Sequence, residues 1–455
     1  MKEKVFPNGF QFVHSTSESD IPISCIYVFI DFGSIHLPSH LLGMSHFIEH
    51  MCFKGTSKHP NFETILAKYE RMGAFFNAFS TERCTYFVLK CHDKHVSEAI
   101  SILAEQLLTS DFDPVNLRTE KAVVENESRN YQDNPQNLLD MTTQRIVYKD
   151  TPFEFPVDYL AYHQRNNWNR KTIFELYKRY YQPHNMVCSV SSKLPFSKWI
   201  TILKKTLFNA EQKTTPKDSL FKHLSANSIL IDQKVTQGPL FSLVTLPHNN
   251  KLDTAVFNIS FKTCTQFEFD DKYKLHFLAN VLGNTQISRL FKLLRVQTGL
   301  VYSVSVSVDN NEFGGEFRIH TQCDAKNYAE VFSMVMKEIF SDVKRGRKIT
   351  VAEIQTVKSY FENHMMMDIF GSCDTKTMHN GLNVLLYGDE DPSVEYESIY
   401  NRFFKPITKR DMDDVVARYL TKERLVVTCF IGNVKAAAEK REIEIKLNKL
   451  LSAYR

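Results

Sequence analysis

At 455 residues the chain is longer than a single hydrophobic core usually grows, so two domains of about 200 residues each are expected. An apolar fraction of 43%, a charged fraction of 24% and a mildly negative mean hydropathy exclude a disordered chain and describe an ordinary globular one. The net charge of +4 is too small to point to nucleic acid or an anionic membrane as the main partner. Nine cysteines, at positions 25, 52, 84, 91, 188, 264, 323, 373 and 429, form no CxxC pair and are odd in number. They predict free, mostly buried thiols in a reducing intracellular compartment, the cytoplasm or else an organelle matrix or virus particle. Met1 to Pro7 carries no export signal, and no apolar stretch approaches the roughly 18 residues of a membrane span.

The first strong element is the run Ile23 to Ile30 (ISCIYVFI), which reads as a strand. Next comes His46-Phe47-Ile48-Glu49-His50. On a helix His46 and His50 sit one turn apart on one face, so two imidazoles can reach one ion at about 2.0–2.1 Å per nitrogen. Glu49 shares that face and can act on a metal-bound water as a general base without being a ligand. Met44, Phe47, Ile48, Met51 and Cys52 supply the opposite, apolar face, and Gly55 is placed to end the helix. The bland alternative is a pair of surface histidines on an ordinary helix, and a third ligand decides between them.

A strand from Phe87 leads into an amphipathic helix over Val96 to Leu108, apolar at 96, 99, 100, 103, 107 and 108. The helical stretch Glu120 to Glu127 then offers acids at 120, 125 and 127, of which 120 and 127 share a face. A catalytic zinc takes three protein ligands and a water, and on spacing alone either Glu120 or Glu127 could be the third. His36 with His40, and His92 with His95, lack a matching further ligand and read as loop or helix-start residues.

Asn209 to Asn227 is polar, lysine-rich and interrupted by proline, and reads as a linker between domains at 1–208 and 228–455. Beyond it the elements recur. Ile23–Ile30 is echoed by Ala255–Lys262, Cys91 by Cys323 and Glu98 by Glu330, all at an offset of 232. The fold class predicted is α+β, with two similar domains, each a β-sheet packed with α-helices, related by internal duplication. The same offset carries His46, Glu49 and His50 onto Leu278, Val281 and Leu282, so the second copy is expected to bind no metal. Lys435 to Arg455 reads as a surface helix on its own domain.

The string Gly43 to Thr56 (GMSHFIEHMCFKGT), followed by Glu120 and Glu127, resembles the inverted-zincin peptidases, the family of pitrilysin, insulin-degrading enzyme and the processing peptidase β-subunit. The resemblance spans nearly the whole chain and is closest to the short, half-clamshell members. It implies a zinc metalloendopeptidase with one Zn2+ per chain, held by His46, His50 and Glu127, with Glu49 as base and Glu120 in support. Glu125 falls off the pattern and reads as a solvated helix residue. Gly73 to Phe87 resembles the family's active-site edge strand, which makes Asn77 and Ala78 substrate contacts; a peptide adds to such a strand through main-chain hydrogen bonds. Ser288 to Tyr302 resembles the segment in which an arginine and a tyrosine hold the substrate carbonyl, here Arg295 and Tyr302. Read without the family, Arg295 would be a surface ion-pair partner and Tyr302 a core strand residue. Asn126 stands where the family usually has arginine, and Ser191-Ser192 where glycine often ends a strand, which indicates a distant branch. The implied substrates are peptides or unfolded segments, and the implied assembly is a homodimer or a heterodimer with a related subunit. The rival from another class is a non-catalytic scaffold of the same fold.

Overall fold

A computed structural model of the chain describes residues 1–17, 19–157, 168–210, 240–244, 252–345, 348–365, 372–388, 396–432, 434 and 437–454. Nearly all of the expected linker lies outside the described residues. Two compact units emerge, each assembled from three stretches of chain: Met1–Arg129, Phe155–His223 and Asn363–Ser398 in one, Asn130–Glu154, Leu224–Glu362 and Ile399–Arg455 in the other.

The first unit is built on a six-stranded sheet of β1 (Lys2–Val5), β2 (Gln11–Thr16), β3 (Ile23–Ile30), β4 (Phe75–Ser80), β5 (Thr85–His92) and β6 (Met186–Ser192), in the order β1-β2-β6-β3-β5-β4. Only the β2–β6 pair is parallel. The second unit holds β7 (Leu240–Val244), β8 (Thr254–Thr263), β9 (Val301–Asn311), β10 (Gly314–Asp324) and β11 (Leu425–Ile431), in the order β7-β11-β8-β10-β9. Its parallel pair, β7–β11, matches β2–β6, and the antiparallel run β11-β8-β10-β9 matches β6-β3-β5-β4. The repeat seen at the 232 offset is therefore one strand plan used twice, with β1 as an addition.

The two plans also exchange a helix. Five helices open the chain: α1 (Met44–Met51), α2 (Phe62–Arg71), α3 (Val96–Leu108), α4 (Pro114–Gln132) and α5 (Pro135–Val147). α5, although it comes from the first half of the sequence, lies on the sheet of the second unit: Leu139 packs with Val244, Val256 and Phe430, and Asn258 Nδ2 donates to Asp140 Oδ1 at 2.7 Å. Conversely the helix Cys373–Tyr387 covers the first sheet, where Leu385 joins Val13, Tyr27, Phe29 and Val88. Gly381 permits the approach, since a Cβ there would meet the Phe29 ring at 2.2 Å. A division of the chain at 209–227 does not capture this exchange.

The opposite face of the first sheet carries the larger core, in which α1 and α3 bury Phe47, Ile48, Ile100 and Leu103 against Ile26, Val28 and Phe87. At eight residues α1 is too short to hold itself together. Burying Met44, Phe47, Ile48 and Met51, all at most 1% exposed, is worth about 1.5–3 kcal/mol per side chain and fixes which face is left for chemistry. The helix ends at Met51 with Cys52 as its C-cap, not at Gly55. Gly55 lies in the following loop, where a Cβ would meet the Pro60 carbonyl oxygen at 2.8 Å.

Two cysteines are not free. Cys25 on β3 and Cys373 at the start of the returning helix form a disulfide across 348 residues of sequence, and the other seven are buried thiols. Asp374 adds two polar ties, accepting from Tyr27 Oη at 3.2 Å and from Lys90 Nζ at 2.5 Å. The expectation of nine free thiols failed because a pairing this distant leaves no spacing signal.

A second brace ties the end of β3 to the β4–β5 turn. Arg83 pairs with buried Asp31, which His36 also contacts at 3.3 Å. Burial opposes ionisation of Asp31, but Arg83 and His36 outweigh it and hold the carboxyl well below the usual range. His36 is thus structural, as its lack of a matching ligand suggested.

Non-reducing mass spectrometry is expected to find seven alkylatable thiols and one Cys25–Cys373 cross-link. Cys373→Ser should lower unfolding stability by about 2–4 kcal/mol. Asp31→Asn removes the charge that Arg83 pairs with and should destabilise by about 3–5 kcal/mol at neutral pH in denaturant titrations. Because the folded Asp31 carboxyl titrates below its unfolded value of about 3.9, its contribution is complete above that pH and lost as pH falls through the folded value. The gap between variant and wild type should accordingly narrow in acid.

Candidate metal centre and active site

The polar side of α1 faces a cavity of about 530 Å³ in the first unit. One wall carries His46, Glu49 and His50 with Glu120 and Glu127 of α4; the other carries Asn77 to Ser80 of β4 with Phe53 and Phe62. His46 Nε2 and His50 Nε2 approach to 3.1 Å, with Glu127 Oε2 3.4 Å from the second and 4.0 Å from the first. Donors on a tetrahedral ion with bonds near 2.0–2.1 Å stand about 3.3 Å apart, so the three atoms have the spacing of ligands to one small cation.

His50 shows why that spacing is chemically meaningful. Its Nδ1 lies 2.8 Å from Glu120 Oε1, and Lys54 Nζ holds the other oxygen of the same carboxylate at 2.7 Å. The carboxylate is 3% exposed; burial disfavours its charge, but the bonds to His50 and Lys54 prevail and lower its pKa. An ionised Glu120 accepts the Nδ1 proton, which leaves the Nε2 lone pair directed at His46 and Glu127. Burial also acts to lower the His50 pKa, yet the Glu120 bond and the charges of Glu49, Glu120 and Glu127 raise it overall. An arrangement that favours positive charge among two imidazoles and a carboxylate fits a divalent cation. Glu127, half exposed at 53%, keeps its side open to solvent.

Glu49 is different in kind. It is 6% exposed, and its Oε2 accepts a hydrogen bond from Ser80 Oγ at 2.7 Å. Burial raises its pKa, against the pull of His46, Ser80 and His50. A carboxyl so placed, beside the histidines yet turned to β4, suits proton transfer more than coordination.

β4 is an edge strand, paired only with β5 among the described residues. Asn77 points outward, its Oδ1 accepting from the Ala78 N–H at 2.9 Å, while Ala78 is buried. Glu125 pairs with Arg129 on the exposed side of α4 and takes no part. Arg295 and Tyr302 belong to the second unit, on a π-helical turn (Lys292–Gln297) and on β9. The guanidinium sits 5.2 Å from the Tyr302 ring centroid, and that ring is 83% exposed, so Tyr302 is no core residue. Leu278, Val281 and Leu282 are buried apolar residues, and among the described residues the second unit groups no metal-ligating trio. Cys25, Cys373 and Asp374 form the other such group in the first unit, but there the two sulphurs bond to each other.

Lys54 and Ser80 were not singled out in the sequence. Lys54 lies in the loop beyond the end of α1, where helical periodicity does not reach, whereas Ser80 follows Ala78 by two on β4 and so shares its face. Nothing in their residue types marked them.

Residues 12–158 match the model of insulinase, peptidase family M16, and residues 167–361 that of the peptidase M16 inactive domain. The chain belongs to the M16 peptidase family. An uncharacterized zinc protease of Bacillus subtilis, YmxG, is 28% identical over 382 residues, 80% of this chain and 83% of its own length. The mitochondrial-processing peptidase subunit beta of Caenorhabditis elegans is 29% identical over 151 residues, a third of either chain (33% and 32%). A protease from Helicobacter pylori shares the fold with a TM-score of 0.80 at 17% identity, over 94% of this chain and 98% of that one. The first match spans β2 to β5, and the second runs from β6 of the first sheet to β10 of the second.

Lys54→Met should release Glu120 and with it the orientation of His50. Competition with a chelator is expected to show zinc affinity reduced about 10–100-fold, the range for loss of an outer partner of a metal histidine, with Lys54→Arg closer to wild type.

Proposed function

We propose that this M16 chain is a zinc metalloendopeptidase acting on peptides or extended, unfolded segments. The observation that carries the reading is the convergence of His46, His50 and Glu127 within one ion's reach, with Glu49 beside them and outside the ligand set. Zinc in that place supplies Lewis acidity, polarising the scissile carbonyl and making water a usable nucleophile near neutral pH. Glu49 takes the proton from the attacking water and delivers it to the departing amine; its raised pKa makes it a better proton carrier than an ordinary surface carboxylate. Glu120, fixed by Lys54, holds His50 in the tautomer whose Nε2 is free to coordinate. An extended substrate adds along β4, contacting Asn77 and Ala78, and main-chain pairing gives affinity with little demand on sequence. Arg295 and Tyr302 serve the substrate carbonyl from the second domain as donors toward developing negative charge.

We assign the catalytic role to residues 1–208 and that of an inactive duplicate to residues 228–455, with α5 counted with the second unit and Cys373–Tyr387 with the first. The subunit nature of the processing-peptidase relative supports assembly with a second chain, the same or related. Seven buried thiols support an intracellular setting, and the Cys25–Cys373 disulfide weighs against it. No helix among the described residues is long and apolar enough to cross a membrane.

Glu49→Gln should retain one zinc per chain by metal analysis while cleavage of quenched peptides falls by about 10²–10⁴-fold. Equal turnover by both proteins would remove Glu49 as the base, and absence of turnover in the zinc-loaded wild type would favour the scaffold reading.

A further inference from the structure

Ser80 occupies a position that links two parts of the site described so far as separate. It is the last residue of β4, and with Phe76 and Ala78 it lies on the strand face opposite Asn77. That face meets α1. Ser80 Oγ donates to Glu49 Oε2 at 2.7 Å, and its nearest other hydroxyl, Thr85 Oγ1, stands at 3.3 Å. Thr85 commits its own proton to the Phe32 carbonyl at 2.9 Å and toward Ser80 can only accept, so of the two acceptors the nearer and charged one, the Glu49 carboxylate, takes the Ser80 proton. A hydroxyl-to-carboxylate bond of this length is charge-assisted and directional.

We infer that Ser80 is a positioning residue that ties the general base to the substrate-binding edge strand. The inference rests on the peptidase reading and deepens it. A peptide paired to β4 is placed by the strand's main chain, and Glu49 is placed by a side chain of that same strand, two residues beyond Ala78. The scissile carbonyl and the base therefore share one frame of reference, and movement of β4 carries both together. Without the Ser80 bond Glu49 keeps its place in the sequence of α1 but loses its registration to the substrate. Misplacement by about 1 Å at a reacting centre costs on the order of 10²-fold in rate.

Three variants test this in the zinc-loaded full chain: Ser80→Ala, Ser80→Thr and, as the reference for loss of the base, Glu49→Gln. Expected for Ser80→Ala is a fall in kcat of about 10–100-fold with KM within about twofold of wild type, unchanged zinc content and an unchanged melting curve. Ser80→Thr, which keeps the hydroxyl, should recover kcat to within about threefold of wild type. A Ser80→Ala enzyme with wild-type kcat overturns the inference, as does a defect confined to KM, which would mark Ser80 as a strand-packing residue. If Ser80→Ala fails to fold, Ser80→Thr decides alone: a folded Thr variant with kcat near wild type supports the link, and a folded one as slow as Glu49→Gln overturns it. The two readings fail separately. Activity unaffected by Glu49→Gln sinks the peptidase mechanism; activity lost with Glu49→Gln but kept in Ser80→Ala sinks only the link.

Discussion

The hydrogen bond between His50 and Glu120 governs the electrostatics of the whole cavity. An imidazole can present a lone pair at Nε2 only if Nδ1 carries the proton, and the buried, ionised Glu120 enforces that choice. Glu120 in turn stays ionised because Lys54 neutralises it, in a place where an isolated carboxylate would prefer to be protonated. The chain Lys54–Glu120–His50 thus runs from the loop after α1 through α4 and back to α1, joining segments far apart in sequence. Glu49, with no such counter-charge in direct contact, drifts the other way, and two acids of similar burial acquire opposite tendencies on one small surface.

Duplication explains why one copy can specialise. The second sheet repeats the strand plan, and the helix Phe269–Leu282 presents Leu278, Val281 and Leu282 where the first copy presents His46, Glu49 and His50. Three polar positions on a buried helix are a liability unless something satisfies them, and apolar replacement turns that liability into core. What the second copy shows on its surface is different: the Arg295 guanidinium lying 5.2 Å from the centroid of the exposed Tyr302 ring.

Much of this was legible in the sequence because periodicity fixes faces. His46 and His50 had to be neighbours on a helix, Glu120 and Glu127 had to share a side of another, and the β-branched and aromatic runs of β3 and β8 marked them as sheet. Spacing could not choose between Glu120 and Glu127, since that choice is made by depth: one is 3% exposed against Lys54 and His50, the other half exposed beside both imidazoles. The Cys25–Cys373 bond and the Ser80–Glu49 bond were invisible, because each joins residues whose partners are set by tertiary packing alone. The helix exchange was hidden for a related reason. An amphipathic helix such as α5 advertises that it needs a sheet to lie on and says nothing about which one.

That exchange constrains how the chain is made. During synthesis β3 and α1 leave the ribosome early, but the apolar face formed by Val13, Tyr27, Phe29 and Val88 has no cover until the segment ending at Tyr387 has also emerged. Until then the nascent chain holds every candidate ligand and still lacks a finished sheet. The half that carries the candidate centre, first to be translated, is among the last parts to be completed, so a premature stop before Cys373 leaves its sheet uncovered without touching a single residue of the centre.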